Sequence, residues 1–310
     1  MRLIITLLLL IPSLSWGLTF KDGKQVDDSS SSTSSTNNSS QSVNENEKYF
    51  SNNYTFKQWQ KVRWIEDTGN LKQTYEIVGN NPNKSYAHAW TNDLVRDGDV
   101  AIRLELRDNE CGRDDCKVGD YKGWKGRTEF GFWETELNGE NWFRWSIYIP
   151  EDTYYIHDGW TLLTQFKGNF KSQKNKDCPI IPFYINMDND GLGIGTEPGD
   201  CSETWSPIIS NEEGFKGKWL DIVAHTNWSA KDNGFIHIWI NGEKKWSKVG
   251  ANVKYVNKKY PPVFRLPVYA GGRPKNLKQT QVAYFDAFYS AKTCAKMNME
   301  SLGYDCKNFK

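Results

Sequence analysis

Beyond its first seventeen residues, the 310-residue chain has no apolar run long enough to cross a bilayer as a helix. It also has almost no net charge: 39 Lys and Arg stand against 38 Asp and Glu. That balance does not announce a polyanion partner and argues against highly sulfated chains, so attraction for an acidic ligand has to be local. Histidine is scarce, with four residues in all. Zinc finds little support, because "CGRDDC" at 111–116 has no matching second pair at ligand spacing. Long stretches of helical period are nearly missing too, which turns the fold class away from helix-rich architectures.

What is present begins with "MRLIITLLLLIPSLSWG". Its basic Arg2, short apolar core and small flanking residues read as a secretory signal peptide over 1–17. No Cys follows at once, which argues against a bacterial lipid anchor. Residues 18–47 are rich in Ser, Asn and Asp, and they read as a linker unable to bury enough apolar surface to fold. One folded domain is then expected over 48–310, exported and soluble, without membrane insertion and acting as a monomer.

Six cysteines follow the signal: 111, 116, 178, 201, 294 and 306. An even number in an exported chain favours disulfides, and spacing alone does not fix their pairing. Nearest neighbours (Cys111–Cys116, Cys178–Cys201, Cys294–Cys306) are the most economical set, each stapling a loop or a terminus.

Between residues 100 and 290, alternation at period two recurs with turn residues between the runs. "VAIRLELRD" sets Ile102, Leu104 and Leu106 against Arg103, Glu105 and Arg107. "FRWSIYIP" does the same with Phe143, Trp145, Ile147 and Ile149. "GFIHIWINGEKKW" alternates and then turns at Asn241-Gly242, a strong hairpin signal. Many antiparallel strands of this kind predict an all-β sandwich, two stacked sheets in a jelly roll.

Strand parity also groups polar side chains. Arg127 and Glu129 share a face within the aromatic-rich "GWKGRTEFGFWETELNGENWFRWSIYIPED". By strict alternation Leu163, Gln165 and Lys167 lie together, opposite Leu162, Thr164 and Phe166. Arg265, Pro267 and Tyr269 form another set, and Val223, His225 and Asn227 a fourth. Any of these has a plainer reading: a cross-strand ion pair for Arg127 and Glu129, a tied-off hydroxyl for Tyr269, ordinary sheet histidines at 225 and 237.

In order and spacing, the segments "GRTEFGF", "GWTLLTQFKG", "WSAKDNGFIHIWINGE" and "FRLPVYAGG" resemble the heparin lyase I-like and glucuronan lyase-like polysaccharide lyases, over roughly residues 95 to 290. The resemblance implies a concanavalin A-like jelly roll that holds an acidic polysaccharide and cleaves it by β-elimination. In that chemistry the uronate carboxylate is neutralised, a base takes the C5 proton, and the C4 oxygen leaves with a proton. The resemblance assigns catalysis to Tyr269, Lys167, Gln165 and His225, and substrate binding to Arg127, Glu129, Arg265 and Arg273.

Two departures stand out. The family commonly has His where this chain has Lys167, whose reference pKa near ~10.4 suits a point charge better than a base. It also commonly has Lys-x-Gly-x-Tyr where this chain has Arg265-Leu-Pro-Val-Tyr269, and Pro267 suggests an edge strand or a bulge. His225 or His157 then offers a substitute base. No cofactor is required for the chemistry; a structural calcium near Asp286 is possible in this fold class, although a lone Asp assigns no metal residue. The competing readings are a lectin-like carbohydrate-binding protein on the same fold and, behind it, a glycoside hydrolase using Glu134 and Glu136, which lack the expected Glu-x-Asp-x-x-Glu spacing.

Overall fold

The computed structural model has fifteen antiparallel strands in two sheets among its described residues. It describes residues 59–60, 75–79, 86–99, 101–107, 124–132, 139–153, 159–168, 180–253, 262–273 and 280–310. These all belong to one compact unit, Gln41–Lys310. The expected signal peptide, the linker, Cys111, Cys116, Cys178, Glu134, Glu136 and His157 lie outside the described residues.

The early strands are β1 (Trp59–Gln60), β2 (Tyr75–Gly79), β3 (His88–Thr91), β4 (Ala101–Leu106), β5 (Trp124–Phe132), β6 (Glu140–Tyr148) and β7 (Trp160–Lys167). They are followed by β8 (Ile180–Asp188), β9 (Gly191–Pro198), β10 (Thr204–Ser210) and β11 (Trp219–Asn227). Last come β12 (Phe235–Ile240), β13 (Glu243–Val249), β14 (Val263–Arg273) and β15 (Gln281–Ala291). The first sheet has the order β1-β2-β5-β14-β7-β8-β9-β10, and the second β13-β12-β11-β6-β15-β4-β3. Among the described residues there is no α-helix, only three short 3-10 turns after β15.

Period-two alternation is what lets the sheets stack. Phe143, Trp145 and Ile147 of β6 point inward, as do Ile102, Leu104 and Leu106 of β4 and Ile236, Ile238 and Ile240 of β12. They meet Phe130, Phe166, Phe183, Phe264 and Leu266 from the first sheet. Phe166 is the hub: its ring lies 4.8–5.1 Å from those of Phe143, Phe183, Trp228 and Phe264. The predicted hairpin at Asn241-Gly242 is present, with both residues at positive φ (51° and 80°), as a tight primed turn requires.

Two expectations of strict alternation fail in β7 and β14. The register between β7 and β8 shifts between Leu162 and Thr164. Leu163 therefore enters the core beside Phe166, and Leu162 joins the outer face with Tyr184. Trp145 donates its indole N–H to Thr164 Oγ1 at 3.0 Å, which holds this bulge inward. Pro267 does not mark an edge, because β14 runs between β5 and β7. Toward β7 the register shifts between Arg265 and Tyr269, so the missing N–H of Pro267 falls in an interrupted stretch of ladder.

The chain's own C-terminus covers the outer face of the second sheet. Met297, Met299 and Phe309 pack on Trp142, Val223 and Trp239. The expected Cys294–Cys306 disulfide staples this cover. Cys201 is disulfide-bonded as well. Beneath the cover, Asp221 accepts two bonds from Arg96 (2.9 and 2.7 Å), one from Ser146 and one from Tyr304. Arg144, fully buried, is held by Asp97, Ser301 and the Tyr289 ring. Most of this network's hydrogen bonds are made within the fold, which leaves that part of the face closed to a polymer.

Phe166→Ala is expected to lower the unfolding free energy by about 3–5 kcal/mol. A change at the exposed edge residue Val249, such as Val249→Thr, is expected to stay within about 0.5 kcal/mol. Urea unfolding of the two variants against the parent checks both.

Candidate active site on the first sheet

With the core on its inner side, the first sheet presents an outer face of different composition. Across the central strands, Tyr269 of β14 stands opposite Arg127 of β5, and Pro267 opposite Glu129. On the other side, Arg265 faces Gln165 and Val263 faces Lys167 of β7. Directly opposed residues in antiparallel strands share a face, so Arg127, Glu129, Gln165, Lys167, Arg265 and Tyr269 are collected on one surface.

At its centre is the Glu129 carboxylate, fully buried. Gln165 donates its amide N–H to Oε1 at 2.8 Å, and Arg265 donates to the same oxygen at 3.1 Å. Arg127 reaches Oε2 at 3.4 Å. From the second sheet, the buried His88 ring reaches the Glu129 backbone carbonyl at 3.2 Å. Burial pushes His88 down to about 4, which keeps it neutral at physiological pH.

Burial alone would push the Glu129 carboxyl up. The charges of Arg265, Arg127 and Lys167, with the Arg265 hydrogen bond, overcome that and hold it down at about 2. The carboxylate in turn fixes the cations. Arg127 lies with its guanidinium carbon 4.0 Å from the centre of the Tyr269 ring, and Trp160 meets the same ring edge-on at 5.1 Å. Tyr269 is therefore clamped between a cation and an indole, in the partly exposed layer of the face.

Several expected site residues find different settings. Gln165 is 2 % exposed and spends an amide N–H on Glu129, so it supports the cluster from below. Lys167 stands near Glu129 and Glu197, where its charge helps hold Glu129 down and opposes the rise of Glu197. His225 is not part of the group: it lies on β11, in the second sheet, on the face opposite the core residues Ile222 and Ala224. There it stacks on Trp142 at 3.9 Å and bonds Glu140 at 2.9 Å. The structure thus sets His225 in the other sheet from Tyr269; strand parity carries no information about which sheet a strand joins. Arg273 closes β14 opposite Trp124, and its side chain lies outside the described residues.

Asp286, the residue weighed for calcium, is engaged by backbone donors. Its carboxylate accepts backbone N–H groups from Arg96, Asp97 and Ala287 at 2.6–3.0 Å, a donor set that suits an anion rather than a cation's ligand. Among the described residues, no group of three or more His, Cys, Asp or Glu has a metal-holding arrangement. No helix among them is long and apolar enough to cross a membrane.

One feature of this face was absent from the sequence reading. In "GLGIGTEP", Leu192 and Ile194 enter the core while Gly193 and Gly195 leave the outer face bare, and the rings of Trp205 and Tyr184 occupy the clearing. Glycine at alternate positions of a strand was the available signal.

Residues 51–289 match the family model described as polysaccharide lyase. No curated protein matches the chain. Among solved structures, an endo-β-1,4-glucuronan lyase from the fungus Trichoderma reesei is 15% identical, with a TM-score of 0.50 over 79% of this chain and 96% of that one. A family 7 alginate lyase is 11% identical, with a TM-score of 0.46 over 74% and 97%. An alginate lyase from Pseudomonas aeruginosa is 9% identical, with a TM-score of 0.44 over 62% and 83%.

The folded value of Glu129 is below its ordinary 4.5, so its stabilising contribution is complete above that pH and is lost as pH falls toward about 2. The contribution is roughly 3 kcal/mol. Glu129→Gln is expected to flatten that acid limb of the stability curve, and to cost about 3–5 kcal/mol at neutral pH by leaving the cations without their buried counter-charge. Urea titrations of both proteins at several pH values check the slope and the offset.

Proposed function

Because this chain belongs to the polysaccharide lyase family, we propose that it cleaves a uronate-containing polysaccharide by β-elimination, with Tyr269 as the proton-transfer group. The observation that carries this reading is the cation-clamped phenol: Arg127 against the Tyr269 ring, with Arg265 and Lys167 converging on the same buried Glu129.

Elimination needs positive charge at the uronate carboxylate, so that the C5 carbanion is stabilised as it forms, and a group beside C5 to take the proton. Arg127 and Arg265 supply the charge, and planar guanidinium forks match a carboxylate. Lys167 adds a point charge at the edge of the cluster. The Tyr269 oxygen, as phenolate, takes the C5 proton. The electron pair of the C5–H bond forms the C4–C5 double bond, the C4–O bond breaks, and the departing oxygen recovers the proton from Tyr269. Neighbouring positive charge stabilises the negative oxygen while the proton is in transit.

In this reading the tyrosine serves as both base and acid. One group serving both atoms requires C5–H and C4–O on the same side of the sugar ring, as in glucuronate and mannuronate but not in guluronate or iduronate. Glu129, Gln165 and His88 act as positioning residues, holding the cations without touching the sugar. Disulfides at Cys294–Cys306 and at Cys201 support action outside the cytosol, in line with a leader at residues 1–17.

A panel of uronate-containing polymers, read by the ultraviolet absorbance of the conjugated double bond, tests the assignment. Tyr269→Phe is expected to lose at least about a hundredfold in turnover with an unchanged unfolding midpoint. Arg127→Ala is expected to raise KM and lower kcat together. Parent-like turnover in Tyr269→Phe removes the tyrosine from the mechanism.

A further inference from the structure

The glycine-cleared strip of β9 is built to hold rings. From β10, Trp205 reaches across Gly193, where a Cβ would come within 2.4 Å of the indole, and donates its N–H to Asn186 of β8 at 2.8 Å. From β8, Tyr184 crosses Gly195 in the opposite direction, at 2.0 Å from a Cβ placed there, and donates its hydroxyl to Glu203 at 2.5 Å. Any side chain at either glycine would evict a ring. Tyr184 is buried, whereas Trp205 keeps part of its surface exposed. An indole anchored through its N–H over a bare strand is a platform for the CH-rich face of a pyranose.

This platform is contiguous with the tyrosine. Trp205, Tyr184, Leu162, Trp160 and Tyr269 belong to one apolar cluster on the outer face of the first sheet. Charge, however, changes sign along that face. Arg127 and Arg265 flank Tyr269, while Glu197 of β9 and Glu203, two residues before Trp205, flank the platform. Burial and the neighbouring Glu203 push the Glu197 carboxyl up to about 7, against the opposing charge of Lys167. A sugar carboxylate at this end would meet the Glu203 carboxylate and a Glu197 carboxyl that is partly ionised near neutral pH. Sugar hydroxyl or amide N–H groups would instead find acceptors.

We propose that Trp205, rimmed by Glu197 and Glu203, forms a sugar subsite next to the cationic one that accepts an uncharged ring and rejects a uronate. The preferred substrate then carries a uronate beside an uncharged sugar rather than being a pure polyuronate. The proposal rests on the lyase reading above and narrows its substrate class.

Unsulfated chondroitin, in which glucuronate alternates with an uncharged N-acetylated sugar, and glucuronan, which is glucuronate throughout, separate the two cases. Elimination is followed by ultraviolet absorbance and binding by affinity electrophoresis. The parent is expected to prefer chondroitin in both assays, and Trp205→Ala to raise KM for it about tenfold with a smaller effect on kcat. The double variant Glu197→Gln with Glu203→Gln is expected to raise the glucuronan-to-chondroitin ratio about tenfold by removing the like charge. Should Trp205→Ala fail to fold, that ratio carries the test alone. A parent that prefers glucuronan, with a ratio unmoved in the double variant, overturns the subsite and leaves the lyase assignment standing. Absence of elimination on both polymers, with electrophoretic preference for chondroitin that the double variant relaxes, upholds the subsite and overturns the lyase chemistry.

Discussion

The site depends on one buried carboxylate. Glu129 has no solvent exposure, and a lone carboxylate there would stay protonated; the guanidinium groups of Arg265 and Arg127 and the ammonium of Lys167 keep it ionised. The dependence runs both ways, because cations on adjacent strands repel one another without an anion between them. Two strands flanking β14 supply the carboxylate and its amide donor, β5 with Glu129 and β7 with Gln165. The register of three strands is therefore readable in a single set of hydrogen bonds.

The two bulges turn this anchor into a site. Between Arg265 and Tyr269 the β14–β7 ladder is interrupted, and between Leu162 and Thr164 the β7–β8 ladder shifts. Both irregularities fall between the Glu129 anchor and the tyrosine. They put Leu162, rather than Leu163, under Tyr184 and beside Tyr269. Bulges re-aim side chains without breaking a sheet, and Pro267, with no N–H to offer, fits the interrupted stretch.

Much of the architecture was legible because burial on one face forces alternation. The inward sets of β4, β6 and β12, the Asn241-Gly242 turn and the Cys294–Cys306 staple follow from local pattern. The membership of Arg127, Glu129, Gln165, Arg265 and Tyr269 in one face followed from parity together with a family resemblance. What parity leaves open is sheet assignment, and this is why His225 appeared eligible although it stacks on Trp142 in the other sheet. Nor does alternation register a bulge, whose cause is the tertiary bond from Trp145 to Thr164. Cover is equally nonlocal: the C-terminal turns that close part of the second sheet's outer face lie far in sequence from the strands they protect.

That asymmetry of cover separates the outer faces of the two sheets. On the second sheet, Arg96 pairs with Asp221, and Arg144 with Asp97 and with Ser301 of the C-terminal segment, so these charges are spent on the fold. On the first sheet, the cations share one anchor carboxylate, and the phenol of Tyr269 lies against a guanidinium in the partly exposed layer. Lysine at position 167 is consistent with this division. A histidine there would add a second titrating group beside Glu129, whereas a lysine brings a charge that helps lower Glu129 and opposes the rise of Glu197. In the proposed reading, proton transfer falls to Tyr269, clamped between Arg127 and Trp160, and the aromatic floor of Tyr184 and Trp205 selects the sugar that lies next to it.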